Sequence, residues 1–265
     1  MSKTTMHPRC VEIRKNILTV AKESGHGHIP TCFSIVEILH SLYSTMKHDP
    51  AHPDWDQRDI FVLSKGHASL ALYCTLAEFG YFPPETVRTF GAYLSDFGCH
   101  ADRTKVRGVE VSTGSLGHGI GVATGMAMAM KIRGSSRRVF TLVGDGESNE
   151  GTVWEAILVA VSQRLSNLVV IYDDNRSHAR GLQIADPESH FRGFGCEVLV
   201  VEGHDRKALI DAYAAPSDIV KVIVARTVKG FGSETLSRDQ YEWHRRSPNE
   251  EEFAALMREL NEKAV

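Results

Sequence analysis

Asp145 and Asn175 are the residues whose types and spacing most directly suggest chemistry. Asp145 stands between Gly144 and Gly146, and residues without a side chain let the backbone approach a ligand closely. A carboxylate and an amide carbonyl are hard oxygen ligands that suit a divalent cation such as Mg²⁺ or Ca²⁺. Because Mg²⁺ usually completes its octahedron with phosphate oxygens and water, the pair predicts a diphosphate held through a metal. The alternative is a tight turn at 144–146 and a cap or turn residue at Asn175.

A strand–helix–strand unit must bring these two residues together. Residues 139–143 and 168–172 are short apolar, β-rich runs, and residues 149–164 between them carry apolar side chains at helical spacing. In a right-handed unit of parallel strands, both site residues follow strand ends at the carboxyl edge, where open α/β sheets bind ligands. The N-terminus of the intervening helix would also point free N–H groups at an anion there.

The remaining pattern predicts an α/β fold, with a single three-layer α/β/α domain over residues 1–265 and a mainly parallel sheet. Further apolar runs predict strands at 60–63, 196–201 and 219–225, which makes about five. Helical spacing is found at 11–21 with Arg14 on the exposed side, at 34–46 as an amphipathic helix, and at 67–79, 120–132 and 206–214. A proline pair opens a short helix from 83 to about 94, and a capping box at 247–250 opens a final helix.

Composition excludes several classes of function. The chain has 265 residues, 42% of them hydrophobic and 24% charged, and a net charge of −3 provides no basic field for nucleic acid or a membrane surface. We find no signal-peptide pattern and no run long enough to span a membrane. The five cysteines are scattered without a CxxC pair, which indicates neither a zinc site nor a disulfide framework. These features predict a cytoplasmic protein.

Several histidines stand where a ligand could reach them. His67 follows the strand at 60–63, and a histidine at a strand-to-helix junction can hydrogen-bond a phosphate together with the helix dipole, or can simply cap the helix. His26 and His100 lie in glycine-flanked loops, where a histidine is usually only solvated. His244 lies in a loop that begins near 229 and is longer than a compact domain normally leaves without a function. His28 carries no comparable signal.

Five segments, in order along the chain, carry a resemblance to a known family. They are SGHGH from Ser24, RDIFVLSKGHASLALY from Arg58, GCH from Gly98, GVEVSTGSLGHGIGVATGMAMA from Gly108 and GDGESNEG…YDDN from Gly144. A GDG followed at this distance by Asn resembles the thiamine-diphosphate fingerprint, and the whole set resembles the transketolase family over nearly the entire chain. The resemblance implies thiamine diphosphate and Mg²⁺, or another divalent cation such as Ca²⁺, as cofactors.

The resemblance also implies two sets of site residues. The cofactor-binding set is His67, Gly114, Leu116, Gly144, Asp145, Gly146, Glu150, Asn175 and His244. The metal ligands would be Asp145, Asn175 and the backbone carbonyl of Ser177. The catalytic set, which lines the substrate channel or acts on the reacting centre, is His26, His100, His244 and Glu150.

A partner subunit follows from the same resemblance. In the family, a glutamate on a second, pyrimidine-binding domain protonates the cofactor's aminopyrimidine ring, and this sequence stops where that domain would begin. We therefore expect a separately encoded subunit, two copies of each, and shared active sites, with the small-residue helix at 120–132 at the interface. Glu150 would meet the partner's glutamate and share a proton with it, or would serve only as a charge in the first turn of its helix.

The implied activity is the transfer of a two-carbon ketol unit from a ketose or ketose phosphate to an acceptor. One alternative is transfer to a lipoyl or carrier-protein arm, as in the decarboxylating subunits of 2-oxo acid dehydrogenases. Arg180, where the family usually has aspartate, and Arg245–Arg246, where glycine commonly follows the histidine, keep that alternative open. Another is a non-catalytic regulatory or scaffold paralogue, against which the retained site residues argue.

Overall fold

A five-stranded parallel sheet forms the centre of the chain in a computed structural model that describes residues 6–178 and 181–263. The strands lie in the order β1-β2-β3-β5-β4 and every neighbouring pair is parallel. Their bounds are β1 Ile60–Leu63, β2 Val139–Gly144, β3 Leu168–Asp174, β4 Glu197–Glu202 and β5 Lys221–Arg226. β1, β2 and β3 are buried along their whole length, which explains why their sequences are almost continuously apolar.

Helices cover both faces of this sheet. They are α1 Pro8–Ser24, α2 Ile29–Ser34, α3 Val36–Tyr43, α4 Ser69–Glu78, α5 His118–Ile132, α6 Gly151–Ser162, α7 Pro187–Gly193, α8 Arg206–Ala214, α9 Glu234–Arg238 and α10 Glu250–Glu262. One apolar cluster joins α1, α3 and α4 to alternate sheet residues such as Phe140 and Ile171, and a second joins α5 and α6 to Val139 and Val170. Two cores on opposite faces make the three-layer α/β/α arrangement that the sequence predicts.

The register of the sheet fixes the edge at which a ligand would bind. Leu142 on β2 pairs with Ile171 on β3, and Gly144 pairs with Asp173. Asp145 therefore leaves the sheet beside the end of β3, as the strand–helix–strand pattern predicts. Over the described ranges, no helix is long and apolar enough to cross a membrane.

The expected exposure of Arg14 is wrong. Its side chain is fully buried and donates two hydrogen bonds to Glu37, at 2.6 and 2.7 Å, and one each to the carbonyls of Phe33 and Phe231. Burial alone would raise the pKa of Glu37, but the adjacent guanidinium lowers it to about 2. Helical periodicity placed Arg14 on a polar face because its partners come from distant parts of the chain.

Other differences concern helix bounds. The expected amphipathic helix at 34–46 is α3 alone, preceded by the separate α2, and every residue of both helices is buried. The short helix that begins at the proline pair is a 3-10 helix over Pro84–Thr89, so it ends before residue 94. The final capping box is formed by Asn249 and Glu252 rather than at 247–250. α7 and α9 are short helices that the periodicity did not indicate.

Candidate active site

Asp145 lies at the centre of the carboxyl edge, with 1% of its surface exposed. Its Oδ1 accepts hydrogen bonds from the backbone N–H of Gly146 at 2.7 Å and the hydroxyl of Ser177 at 2.9 Å. Its Oδ2 accepts from the Ser177 N–H at 2.6 Å and lies 2.6 Å from Nδ1 of His178. Three assigned donors and the His178 ring therefore surround this buried carboxyl group, whose oxygens are of the kind that bind a divalent cation.

Asn175 presents its amide oxygen to the same point. Its Nδ2 donates to Oδ2 of Asp173 at 2.7 Å and to the hydroxyl of Ser34 at 3.2 Å, so this network orients Oδ1 the other way. Oδ1 accepts from the Ser177 N–H at 2.9 Å, the same N–H that donates to Asp145. One electropositive group thus lies within hydrogen-bonding distance of a carboxylate oxygen and an amide oxygen. That convergence of hard oxygens fits a single Mg²⁺ or Ca²⁺.

A buried ion pair next to these two residues helps to hold them in place. Nζ of Lys65 lies 2.5 Å from Oδ2 of Asp173, and the two side chains are 1% and 0% exposed. Asp173 also accepts hydrogen bonds from the hydroxyls of Ser34, at 2.9 Å, and Thr227. Because the same carboxylate accepts from Asn175, the lysine holds the group that orients the candidate metal ligand. Lys65 stands inside the SKGH segment, yet the sequence assigned it no role.

Basic side chains form a second side of the site. Lys229 is 2% exposed, and burial together with the charge of Lys65 lowers the pKa of its ammonium to about 8. Its Nζ lies 3.0 Å from Nδ1 of His244, so a protonated lysine leaves Nε2 of that ring as the N–H donor. Burial and Lys65 lower the pKa of His67 to about 2, which makes its ring neutral at pH 7. A buried lysine with two neutral imidazoles beside it fits a diphosphate.

His28 joins the two histidines that the sequence had already singled out. The centroid of its ring lies 5.4 Å from that of His67 and 5.5 Å from that of His244. Burial first, and then the charge of neighbouring groups led by His244, lowers the pKa of His28 to about 4. The sequence assigned His28 no role, but the structure places its ring in the same cluster. Its position inside the SGHGH segment was the available signal.

His26 and His100 line a cavity of about 420 Å³ beside this cluster, whose lining is His26, Gly27, His28, His67, Phe90, Cys99, His100 and Arg245. Nδ1 of His26 lies 3.7 Å from the thiol of Cys99. A Cβ at Gly91 would lie 2.0 Å from Nε2 of His26, and φ at this glycine is +72°, so the position requires glycine. The structure thus brings together His26, His67 and His100, which the sequence predicts for substrate and cofactor.

Glu150, Gly114 and Leu116 are not part of this buried cluster. Glu150 is exposed at the N-cap of α6, Gly114 is exposed with φ of +154°, and Leu116 is half-buried. A Cβ at Gly117 would lie 2.9 Å from Cβ of Glu150, so the glycine loop before α5 packs against the start of α6. These residues occupy an open side of the site, and their predicted roles stay predictions. Arg180 lies outside the described residues.

Glu147 is a buried acid that sequence reasoning missed. It accepts hydrogen bonds from the hydroxyl of Ser64 at 2.5 Å and from the backbone N–H groups of Gly117 at 2.9 Å and Gly144 at 3.0 Å. Burial raises the pKa of its carboxyl group. The side chain therefore ties together the ends of β1 and β2 and the loop before α5. It stands within GDGESNEG, where a charged residue after the glycine was the only signal.

Known proteins share this architecture. The family described as "Transketolase, thiamine diphosphate binding domain" matches residues 9–263. The chain is 35% identical to one of the subunits of the apulose-4-phosphate transketolase of Actinobacillus succinogenes, over 99% of this chain and 98% of that protein. It is also 35% identical to the 6-deoxy-6-sulfo-D-fructose transketolase subunit SqwG of a Clostridium species, over 96% of this chain and 95% of that protein.

Comparison with solved structures also finds transketolases. A transketolase from Campylobacter jejuni superposes with a TM-score of 0.89 at 28% identity and covers 96% of this chain. The match accounts for 42% of that protein, so the chain spans less than half the length of this solved relative. It nevertheless spans nearly all of the two proteins that are called subunits.

Proposed function

The chain belongs to the transketolase family, and from that premise we propose that it holds the metal and the diphosphate of thiamine diphosphate in a two-subunit ketol-transferring enzyme. The single observation that carries the proposal is the convergence of the oxygens of Asp145 and Asn175 on one N–H at the carboxyl edge of the sheet. We propose that these two side chains, joined by the backbone carbonyl of Ser177, bind Mg²⁺ or a similar divalent cation. The chain's own diphosphate-binding domain would then be a single α/β unit.

Each group around the proposed metal has a task in this function. When bound, thiamine diphosphate supplies a carbon nucleophile that can store the electrons of a cleaved carbon–carbon bond. Lys229 and the neutral rings of His67 and His244 would bind the diphosphate, as charge and N–H donors. His26 and His100, which line the adjoining cavity, would bind the hydroxyl groups of the donor and position its reacting carbon. Glycines 114, 144 and 146 would leave room for the cofactor.

We propose that a second polypeptide completes the site. The relatives that this chain covers almost completely are called subunits, which supports a separate partner. α5 and α6 contact each other and present an exposed apolar face, the α5–α6 face, made of Gly121, Val122, Gly125, Leu158 and Val159. Val122, Leu158 and Val159 are 43%, 53% and 47% exposed, and a Cβ at either glycine would meet open space. Such a face fits burial against a partner.

The assembly that we propose has two copies of each polypeptide, with Glu150 beside the partner's part of the site. The named relatives act on apulose 4-phosphate and on a sulfonated fructose, which supports a ketose with an anionic group as the donor class. All five cysteines are free, which supports a reducing, cytoplasmic location. No contact among the described residues favours transfer to a lipoyl or carrier-protein arm.

Replacement of Asp145 tests the proposal. Asp145→Asn keeps the size of the side chain but removes its charge, and Asp145→Ala removes both oxygens. Both should lower Mg²⁺-dependent affinity for thiamine diphosphate by more than the roughly 10–100-fold that loss of an outer-shell partner costs. Binding is measured by calorimetry with and without Mg²⁺, the fold by circular dichroism, and exposed Asp56→Ala is the control. A folded Asp145→Asn protein with the parent's affinity would refute the metal assignment.

A further inference from the structure

Among the described residues that line the 420 Å³ cavity, Arg245 is the only permanently charged one. The lining contains no carboxylate, and its other members are four histidines, Gly27, Phe90 and Cys99. The pKa values of His28 and His67 are lowered to about 4 and about 2, so both rings are neutral at pH 7. The wall that these described residues form therefore has one fixed positive charge and no negative charge.

The two adjacent arginines differ in what they contact. Arg246 donates to Glu252 at 2.6 Å, lies 3.6 Å from Glu242 and stacks over the ring of Trp243, with 3.8 Å between its Cζ and the ring centroid. Its charge and its planar face are both engaged, which indicates that it stabilises the loop. Arg245 is exposed and has no hydrogen bond or ion pair within 6–178 and 181–263.

The free guanidinium of Arg245 lies where a substrate would be bound. It borders the same cavity as His26 and His100, the proposed donor-binding histidines. Burial is the main cause of the lowered pKa values of His28 and His244, and the nearby positive charge of Arg245 acts in the same direction on both rings. An arginine presents a rigid fork of N–H donors that matches the paired oxygens of a phosphate, sulfonate or carboxylate.

We propose that Arg245 forms an anion-binding subsite that selects donors with a phosphate, sulfonate or carboxylate group. The identity of the ligand as the donor rests on the proposed function, whereas the subsite itself rests on the cavity and its charges. The anionic group would enter the cavity from solvent and replace its own bound water with hydrogen bonds to the guanidinium, close to the histidines of the lining. Arg246 would hold the loop and make no contact with the anion.

Cys99 gives a direct readout of occupancy in the full chain. Its thiol is exposed and lines the same cavity, whereas the other four cysteines are buried. Alkylation of Cys99 by N-ethylmaleimide, a neutral reagent, is followed by mass spectrometry, with Cys99→Ser as the control for the labelled site. D-Fructose 6-phosphate should slow the alkylation, while D-fructose at the same concentration, or NaCl at the same ionic strength, should not.

Variants of the two arginines then test the assignment. Arg245→Gln should raise the concentration of D-fructose 6-phosphate that gives half-protection by roughly 10–100-fold, the usual effect of losing hydrogen bonds to a charged group. Arg245→Lys should retain part of the protection, and Arg246→Gln should retain all of it once its fold is verified by circular dichroism. Unchanged protection in Arg245→Gln, or equal loss in both Gln variants, would overturn the proposal.

The test separates this inference from the proposed function. If thiamine-diphosphate binding proves independent of Asp145 but Cys99 is still protected through Arg245, the subsite stands and the cofactor assignment fails. If cofactor binding depends on Asp145 and Arg245→Gln weakens it while leaving sugar-phosphate protection intact, the guanidinium serves the cofactor and the donor subsite is wrong. Equal protection by D-fructose and its 6-phosphate would also overturn the proposal.

Discussion

Removing one member of the buried pair of Lys65 and Asp173 should destabilise the chain far more than removing one member of an exposed ion pair. The N–O distance of the buried pair is 2.5 Å, and the same distance separates Lys207 from Asp211 on α8. The side chains of the first pair are 1% and 0% exposed, whereas those of the second are 84% and 61% exposed. The two pairs therefore share chemistry and distance and differ in burial, which makes the second a matched control.

The loss of unfolding free energy depends on which partners of the buried pair remain after each substitution. Removing one member of a buried ion pair typically costs about 3–5 kcal/mol of unfolding free energy, because the remaining charge stays buried without its partner. Lys65→Met should lie near the lower end, since Asp173 keeps hydrogen bonds from Ser34, Thr227 and Asn175. Asp173→Asn should lie near the upper end of that range. It leaves the buried ammonium of Lys65 without its carboxylate, and it replaces one of the two acceptor oxygens with an NH₂ donor that cannot accept the remaining hydrogen bonds.

Urea unfolding at pH 7, followed by circular dichroism, measures these differences. Lys207→Met should leave the urea midpoint nearly unchanged, because exposed ion pairs in helices contribute little to stability. The double variant Lys65→Met/Asp173→Asn should cost less than the sum of the single variants because the two sites interact directly. If Lys65→Met unfolds at the same urea concentration as Lys207→Met, the reasoning about burial is wrong.

Three further predictions concern binding, pH and assembly. His67→Ala should weaken thiamine-diphosphate binding by about 10–100-fold, while His100→Ala should spare it and reduce donor turnover in the complex; equal affinity and kinetics in both would contradict the assignment. The pKa of His28 is about 4 in the folded chain, compared with 6.5 for an unperturbed histidine in the unfolded chain. The unfolded chain therefore binds a proton at this residue first, and stability is lost as the pH falls from about 6.5 to 4. His28→Gln should reduce the dependence of the urea midpoint on pH across that interval, and an unchanged dependence would show that His28 is not its source. Leu158→Glu should leave the thermal unfolding of the chain nearly unchanged, because the side chain is 53% exposed, yet should prevent copurification of the partner; normal complex formation would show that the α5–α6 face is not the interface.

Local sequence patterns were sufficient to predict the strands of the parallel sheet and the positions of Asp145 and Asn175 at its edge. β2, α6 and β3 follow one another with a single crossover, so short apolar runs and helical spacing predict that the two strands are parallel neighbours. Once the strands are parallel and adjacent, residues after their carboxyl ends must meet. This is why Asp145 and Asn175 lie where the sequence predicts them.

Other features of the fold and of the site depend on contacts that no local pattern encodes. Arg14 contacts Glu37, 23 residues away, and Phe231, 217 residues away. Burial, followed by the charge of His244, lowers the pKa of His28. The rings that pack around it are those of His67, before α4, and His244, in the 3-10 helix Glu242–Arg245. Lys65 acquires a role only when Asp173 comes from the end of another strand. In each case the residue type is visible in the sequence, but the partner is not.

Glu147 links the candidate site to the α5–α6 face. One of its carboxylate oxygens accepts from Ser64 and from the Gly117 N–H, at the N-cap of α5, and the other accepts from the Gly144 N–H, one residue before Asp145. A partner that fixes α5 would therefore restrain the loop that carries the candidate metal ligand, and a bound metal would restrain α5. Binding energies coupled in this way are reciprocal. We thus expect thiamine diphosphate with Mg²⁺ to strengthen binding of the partner as much as the partner strengthens cofactor binding. Glu147→Gln keeps the shape of the side chain but removes its charge, and it should reduce both effects together because the same carboxylate holds the two loops.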